Sequence, residues 1–549
     1  MKKTGRLKLN VTTVCVIFIF VTGGIVSEGA EKKGHIPHLR RHGEATQLIV
    51  DDKPFLIIGG ELGNSTASSS DRFSMRMMWQ QLAKSNLNTV LAPVYWDLIE
   101  PQEDRFDFTL VDDLIRDARR YNMCLVLLWF GSWKNSMSCY APYWVKKDYE
   151  RFPRAQDKSS RGLEMLTAFS EENLMADAKA FASLMRHIRR IDGGGRTVIM
   201  VQVENEPGMI PDARDHCPAA NEQFDKLVPK RLMDYLQEHK ESLIPEFYEV
   251  WKAGGLKTSG TWEEVFGKGV GTEEIFMAWH YARYIGRVAK AGKAEYALPM
   301  YANAALIRPN YKPGQYPSAG PLPHLMDVWR AGGPEIDFLA PDIYFPNFVE
   351  WVEKYHRSGN PLFIPETGRG AENPANAFYA FGRHNAMGFS PFAIEDITKP
   401  DSELAQAYGV LRQLSPIVLE KQGTGAMTGV VADFNNPNQQ VCLGEYKLSV
   451  KMDAGWGKQI QQGMTAGCII ISTGPDDYVI AGKGLVITFE PNTPPDSIAG
   501  IGSIEQGEFV NGKWKTQLWL NGDQSHQGRH LRLPMERYEI QRVKLYRYR

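Results

Sequence analysis

Cysteine is scarce in this chain, with six in 549 residues, and Cys15 lies inside an amino-terminal apolar run. The others, Cys124, Cys139, Cys217, Cys442 and Cys468, are odd in number and lack short regular spacing. That argues against a disulfide framework and against a zinc site. Mostly free, buried thiols are expected, with Cys442 and Cys468 the one pair that could bridge within a small domain. Neither sign of charge is in excess: 63 basic residues face 64 acidic ones, for a net charge of −1. Nucleic acid and anionic membrane partners need a concentrated basic surface, so a neutral substrate fits better. The 12 histidines form no HxH or HExxH spacing, so neither a metal nor a cofactor is expected. There is no repeat, no low-complexity block and no glycine-rich phosphate loop after the first apolar strand. Beyond the amino terminus no segment looks transmembrane, a spanning helix needing ~20 apolar residues.

What the amino terminus does carry is the pattern of an export signal. Lys2, Lys3, Arg6 and Lys8 precede an apolar run from Val11 to about Val26; Ser27, Gly29 and Ala30 follow, then Glu31, Lys32 and Lys33. Residues 1–30 are therefore expected to be a signal peptide, and the protein to be secreted or periplasmic in a bacterium, without stable membrane insertion after processing. A homo-oligomer is left open.

Composition is otherwise ordinary, 43% apolar and 23% charged, and the length exceeds one compact core at ~100–200 residues per domain. From about Phe55 to Asp396, short apolar runs alternate with helical patterns. The runs are FLIIGG (55–60), NTVLAPVYW (88–96), MCLVLLWFGSW (123–133), TVIMVQVENE (197–206), YALPMYANAA (296–305), IDFLAPDIYF (336–345), PLFIPETG (361–368) and AMGFSPFAIED (386–396). Near-continuous apolar stretches indicate strands covered on both faces, as in parallel sheets. Between them, Ser170 caps a segment whose Leu174, Ala178, Phe181, Met185 and Ile188 step by four and three. Eight such strands with helical crossovers predict an α/β fold of the (β/α)₈ TIM-barrel type over 31–419. A long insertion after strand four, about 209–294, includes a helix near Phe276–Ala291 and is expected to rise from the catalytic face. Past Ser415 the pattern turns strand-like, with Asn511-Gly512 and Asn521-Gly522 pairs suited to tight hairpins. Residues 420–549 are expected to be an all-β accessory domain, a sandwich.

In a barrel, the carboxyl ends of the strands face the active site. Strand four ends Val203-Glu204-Asn205-Glu206-Pro207-Gly208 and strand seven ends Phe363-Ile364-Pro365-Glu366-Thr367-Gly368. A carboxylate ending a long apolar strand is costly unless partnered or solvated. Two of them across one barrel mouth suit glycosidic cleavage, in which one protonates the departing oxygen while the other attacks the anomeric carbon. Alternation puts Glu204 and Glu206 on the same strand face, so periodicity does not separate them. Glu61, in GGELGN, could bond a sugar hydroxyl or serve the fold, and Glu395 and Asp396 are weaker candidates. Tyr95, Trp96, Trp129, Trp133, Tyr301 and Tyr344 sit near strand ends where rings could stack on sugar faces; the alternative for each is core packing.

The string NEPG after an apolar fourth strand resembles the Asn-Glu signature of the retaining glycosidase clan with catalytic glutamates on strands four and seven. VQVENEPG is similar to β-galactosidases of glycoside hydrolase family 35, and LIEPQEDRFDF (98–108) resembles the segment after strand two in families 35 and 42. The resemblance spans roughly residues 45–415, and the β domain looks like the accessory domain of a bacterial family 35-like subgroup. It implies Glu206 as acid/base, chosen over Glu204 by its place in the motif, Asn205 as the residue bonding the sugar 2-hydroxyl, and Glu366 as nucleophile. Retention implies carboxyl groups ~5–5.5 Å apart, and Glu206 must have a raised pKa to arrive protonated. Arg369 and Tyr344 are candidate donors to Glu366. Asn135, in GSWKN, sits where family 35 barrels carry a sugar-binding asparagine–alanine–glutamate motif that this sequence lacks. The resemblance thus implies a retaining exo-acting β-glycosidase, β-galactosidase-like, taking an oligosaccharide or polysaccharide-derived substrate. The alternatives are a β-mannanase- or glucanase-like endo-hydrolase and a non-catalytic carbohydrate-binding barrel.

Overall fold

The structure, a computed structural model, describes residues 1–2, 35–492, 497–523, 525 and 527–549. The expected signal peptide, apart from its first two residues, and Cys15 lie outside the described residues.

Each of the eight apolar runs supplies one barrel strand: β1 (Ile57–Glu61), β2 (Thr89–Tyr95), β3 (Cys124–Lys134), β4 (Val198–Asn205), β5 (Met300–Ala305), β6 (Phe338–Ile343), β7 (Ile364–Thr367) and β8 (Gly388–Pro391). They close in the order β5-β6-β7-β8-β1-β2-β3-β4 with parallel neighbours throughout. The runs lack polar alternation because helices cover one face and the barrel interior the other; β2, β4 and β6 are buried at every position. Inside, Tyr301 stacks on Phe338 with ring centroids 5.3 Å apart, and Phe363 meets Tyr301 edge-on.

Outside, α1 (Glu171–Asp192) starts where Ser170 accepts from the Asn173 amide, and it buries the stripe Leu174, Ala178, Phe181, Met185 and Ile188. Its neighbour α2 (Val270–Glu295) is the crossover helix into β5. The true excursion is thus shorter than 209–294: it holds four short helices, Pro218–Phe224, Lys230–Glu238, Pro245–Ala253 and Trp262–Phe266. Three strands that the sequence reading did not distinguish, His38–His42, Ala45–Val50 and Lys53–Phe55, form an antiparallel sheet before β1.

Two helices, α3 (Asn373–His384) and α4 (Glu403–Lys421), lead into ten antiparallel strands. These are β9 (Met427–Asp433), β10 (Asn438–Leu443), β11 (Tyr446–Met452), β12 (Thr465–Ser472), β13 (Asp477–Lys483), β14 (Leu485–Pro491), β15 (Ile498–Val510), β16 (Lys513–Leu520), β17 (His530–Leu533) and β18 (Glu539–Tyr548). One sheet runs β9-β12-β13-β18-β15-β16 and the other β10-β11-β14-β17. Leu448, Cys468, Ile480 and Val543 belong to the core between them. The β15–β16 hairpin closes through Asn511 (φ 51°) and Gly512 (φ 74°), the left-handed pair that a two-residue turn needs. The barrel and sandwich meet where α3 lies on β9: a Cβ on Gly382 would sit 2.6 Å from the Thr428 carbonyl oxygen, so only glycine allows the approach.

All five described cysteines are free. Cys217 and Cys468 are buried and Cys124 partly so, but Cys139 and Cys442 are exposed. The buried-thiol expectation is corrected for those two; strand alternation turns Cys442 outward while Cys468 enters the sandwich core. No helix among the described residues is long and apolar enough to cross a membrane.

Candidate active site

The end of β4 departs from strand geometry. Glu204 (φ 63°) and Glu206 (φ 46°) both take the left-handed conformation, which costs a non-glycine residue on the order of 1 kcal/mol or more. Groups on β5, on β3 and on the loop after β3 hold it there. The Glu206 amide donates to Asn303 Oδ1 at 3.0 Å, the Glu206 carbonyl accepts from the Ser136 amide at 3.2 Å, and Glu204 Oε2 accepts from the Trp133 amide at 2.6 Å. Two left-handed residues break the alternation that would put both carboxylates on one face. Glu206 turns into a cavity; Glu204 turns back toward Asp177 on α1, fully buried.

Glu204 and Asp177 form a buried carboxyl pair. Burial, then the adjacent Asp177 carboxylate, hold Glu204 well above the ordinary range. Asp177 also accepts from Trp129 Nε1 at 2.9 Å and from Ser132 Oγ at 2.6 Å. A carboxyl whose folded pKa is raised stabilises the fold while it keeps its proton, and this is lost as pH rises from the unfolded value near ~4.3. Glu204→Gln keeps an oxygen to accept from the Trp133 amide and has no ionisable proton. It is therefore expected to leave turnover near wild type while flattening the alkaline fall in Tm, as calorimetry across pH would show. Loss of turnover in this variant would place Glu204 in the chemistry.

The cavity at the carboxyl end of the barrel, of about 390 Å³, is lined by Glu206, Glu366, Asp342, Lys134, Asn135 and Tyr344, with Asn64, Arg308, Pro317, Phe345 and Phe392 at its walls. A larger hollow of about 650 Å³ lies at the amino ends of β1 and β2, and its only carboxylate is Glu420. Glu206 accepts from the Asn135 amide, and Glu366 accepts from the Tyr344 hydroxyl. Asn303 links Glu206 to Asp342, donating to Asp342 Oδ2 at 2.5 Å. Burial, then the Glu366 charge, push Glu206 up to about 7, against the opposing pull of Lys134, Asp342 and Asn135. Burial and then Glu366 likewise hold Glu61 and Asp342 well above the carboxylate range. Among the described residues no group of three or more histidines, cysteines or carboxylates is placed to hold a metal ion.

Of the residues singled out from sequence, the structure brings Glu206, Glu366, Asn135 and Tyr344 into the cavity wall, with Glu61 beneath Glu366. Asn205 is buried at the strand end, with both amide ends unpartnered among the described residues. The aromatic platform is corrected. Trp129 faces α1 through Asp177; Trp133 bonds the Leu166 carbonyl oxygen and packs on Tyr281 and Tyr284; Tyr95 packs on Phe130 and Tyr140; Tyr301 fills the barrel. All four are buried because they lie within strands rather than past their ends, where Tyr344 lies. Arg369 pairs with Asp396 at 3.5 Å instead of Glu366, and Glu395 accepts from Gly63 and Thr66. The insertion supplies no cavity wall; it braces one, since Met209 pairs with Ser318 beside Pro317. Sequence reasoning missed Lys134, Asn303 and Asp342. Asp342 carried a usable signal, a carboxylate closing the apolar run FLAPDI, as Glu366 closes its own.

A closed parallel barrel with opposed, differently housed carboxylates at its mouth has the arrangement that glycosidic cleavage needs. Residues 69–253 match the glycoside hydrolase family 42 model, described as beta-galactosidase, and residues 404–532 match a domain of unknown function. The family 35 resemblance is corrected: the model that matches is that of family 42. The beta-galactosidase of Xanthomonas manihotis is 27% identical over 198 residues, covering 34% of this chain and 30% of that protein. Beta-galactosidase 11 of Arabidopsis thaliana is 24% identical over 171 residues, covering 30% and 18%. The chain thus matches less than a third of the length of these two relatives. A catalytic mutant of a family 42 β-galactosidase from G. stearothermophilus aligns with a TM-score of 0.49 at 11% identity, covering 90% of this chain and 98% of that one.

Proposed function

We propose that the protein is a retaining, exo-acting β-glycosidase, β-galactosidase-like, in which Glu366 is the nucleophile and Glu206 the acid/base. One observation carries this: the two carboxylates project from β7 and β4 into the same cavity with opposite housing. Glu206 is pushed up to about 7 and so arrives protonated, while Glu366 accepts a hydrogen bond from Tyr344. In the first step Glu366 attacks the anomeric carbon as Glu206 gives its proton to the departing oxygen, leaving a covalent glycosyl-enzyme. In the second, Glu206, now a base, takes a proton from water, and the water oxygen displaces Glu366, so the anomeric configuration is kept. Asn205, buried beside Glu206 with its amide unspent, would bond the 2-hydroxyl. The cavity is of small-ligand size, which supports release of terminal sugars from an oligosaccharide or polysaccharide-derived substrate. The sequence of residues 1–30 supports export to the periplasm or medium.

A panel of aryl β-glycosides tests the reading. The β-galactoside is expected to give the highest kcat/KM, with the β-anomer as first product by NMR. No turnover of any β-glycoside, or release of the α-anomer, would overturn it.

A further inference from the structure

Lys134 is the unexpected member of the cavity wall. Between Trp129 and Lys134, β3 advances five residues while β4 advances two, from Val203 to Asn205. This bulge turns Lys134 inward, and paired bonds with Met137 at 2.8 and 3.0 Å fix its backbone. The side chain is 5% exposed, and its ammonium lies 5.2 Å from the Phe130 ring centroid. Among the described residues it makes no ion pair within 4.0 Å, so its three donors are not spent on a protein carboxylate. Yet it shares the cavity wall with Glu206, Glu366 and Asp342, and Asn135, the next residue, donates to Glu206.

A buried ammonium is costly alone, and a set of four buried carboxyl groups is costly without a cation. The groups that face Lys134 are Glu366 on β7, Glu206 after β4, Glu61 on β1 and Asp342 on β6, with Cys139 and Tyr140 on its own loop. Arg308 is the other cation lining the cavity, and it is solvent-exposed.

We propose that Lys134 is a positioning and specificity residue: its ammonium donates to a hydroxyl oxygen of the sugar being cleaved and offsets the charge of the carboxyl groups around it. This rests on the β-glycosidase reading above. Burial lowers the lysine's own pKa, but the charges of Glu366, Glu206, Glu61 and Asp342 outweigh it and keep the group protonated. In return, Lys134 pulls Glu206 and Glu61 down. Its removal therefore moves their titration upward.

The test is kcat/KM against pH for wild type, Lys134→Met and Lys134→Arg on the best aryl β-glycoside, with Tm against pH measured alongside. Lys134→Met is expected to lose about 10- to 100-fold in kcat/KM and to move the alkaline limb of the profile, that of Glu206, roughly one pH unit upward. Lys134→Arg keeps the charge, so its alkaline limb stays in place. Monodeoxy substrates locate the hydroxyl: the one that Lys134 reads is penalised in wild type and not further in Lys134→Met. A role in folding alone would lower activity with that limb unmoved, and that result overturns the proposal. The Tm deficit of Lys134→Met should widen with pH as the carboxyl groups ionise uncompensated; a constant deficit also overturns it. The Tm arm needs no turnover, so an inactive wild type would sink the β-glycosidase reading while Lys134 is still tested.

Discussion

Glu366→Ala is expected to lower kcat roughly 10⁴-fold or more, the scale of loss when a hydrolase is deprived of its covalent nucleophile. The fold should survive, because the carboxylate lies at the cavity wall and its removal leaves the Tyr344 hydroxyl facing that cavity. Added azide should restore turnover. The small anion fits the space left by the carboxylate and attacks the same face of the anomeric carbon. With no second displacement to follow, the product is an α-glycosyl azide of inverted configuration. Turnover near wild type in Glu366→Ala would move the nucleophile to another carboxyl of the cluster, with Glu61 and Asp342 the nearest.

Glu206→Gln carries the second large effect, and it depends on the leaving group. Substrates whose departing oxygen needs a proton should lose about 10²–10⁴-fold in kcat/KM. Aryl glycosides with strongly acidic phenols need little protonation, so their first step stays fast and the glycosyl-enzyme accumulates as a burst. The pH profile separates the roles as well. Wild-type kcat/KM should fall above about 7 as Glu206 loses its proton, and that limb should vanish in Glu206→Gln. An alkaline limb that persists unchanged would assign it to another group.

The barrel was legible because its strands are covered on both faces, so eight runs such as TVIMVQVENE and IDFLAPDIYF announce themselves without alternation. Helix α1 was legible from its cap and its four-and-three stripe, and the β15–β16 hairpin from Asn511-Gly512. The site was legible at the level of strand ends and no further. Left-handed backbone at Glu204 and Glu206 sends two residues of equal parity in different directions, which periodicity does not encode. The bulge in β3 does the same to WFGSWKN: it withdraws Trp129 and Trp133 into the helical layer and delivers Lys134, a residue type that reads as surface, into the cavity. Burial of a lysine depends on four carboxyl groups from β1, β4, β6 and β7, whose meeting is a property of closure. The three strands before β1 are short, and the first is half exposed, so they carry too little apolar pattern to stand out.

The account rests on a covalent sugar ester at Glu366, and trapping it is the most direct test. Incubation with an activated 2-deoxy-2-fluoro β-glycoside of the preferred sugar slows the second step, and mass spectrometry then locates the adduct. The account predicts one sugar per chain on the peptide containing Pro365-Glu366-Thr367, and none in Glu366→Ala. A label on Glu61, Glu206 or Asp342, or no label while the substrate is turned over with inversion, would contradict it.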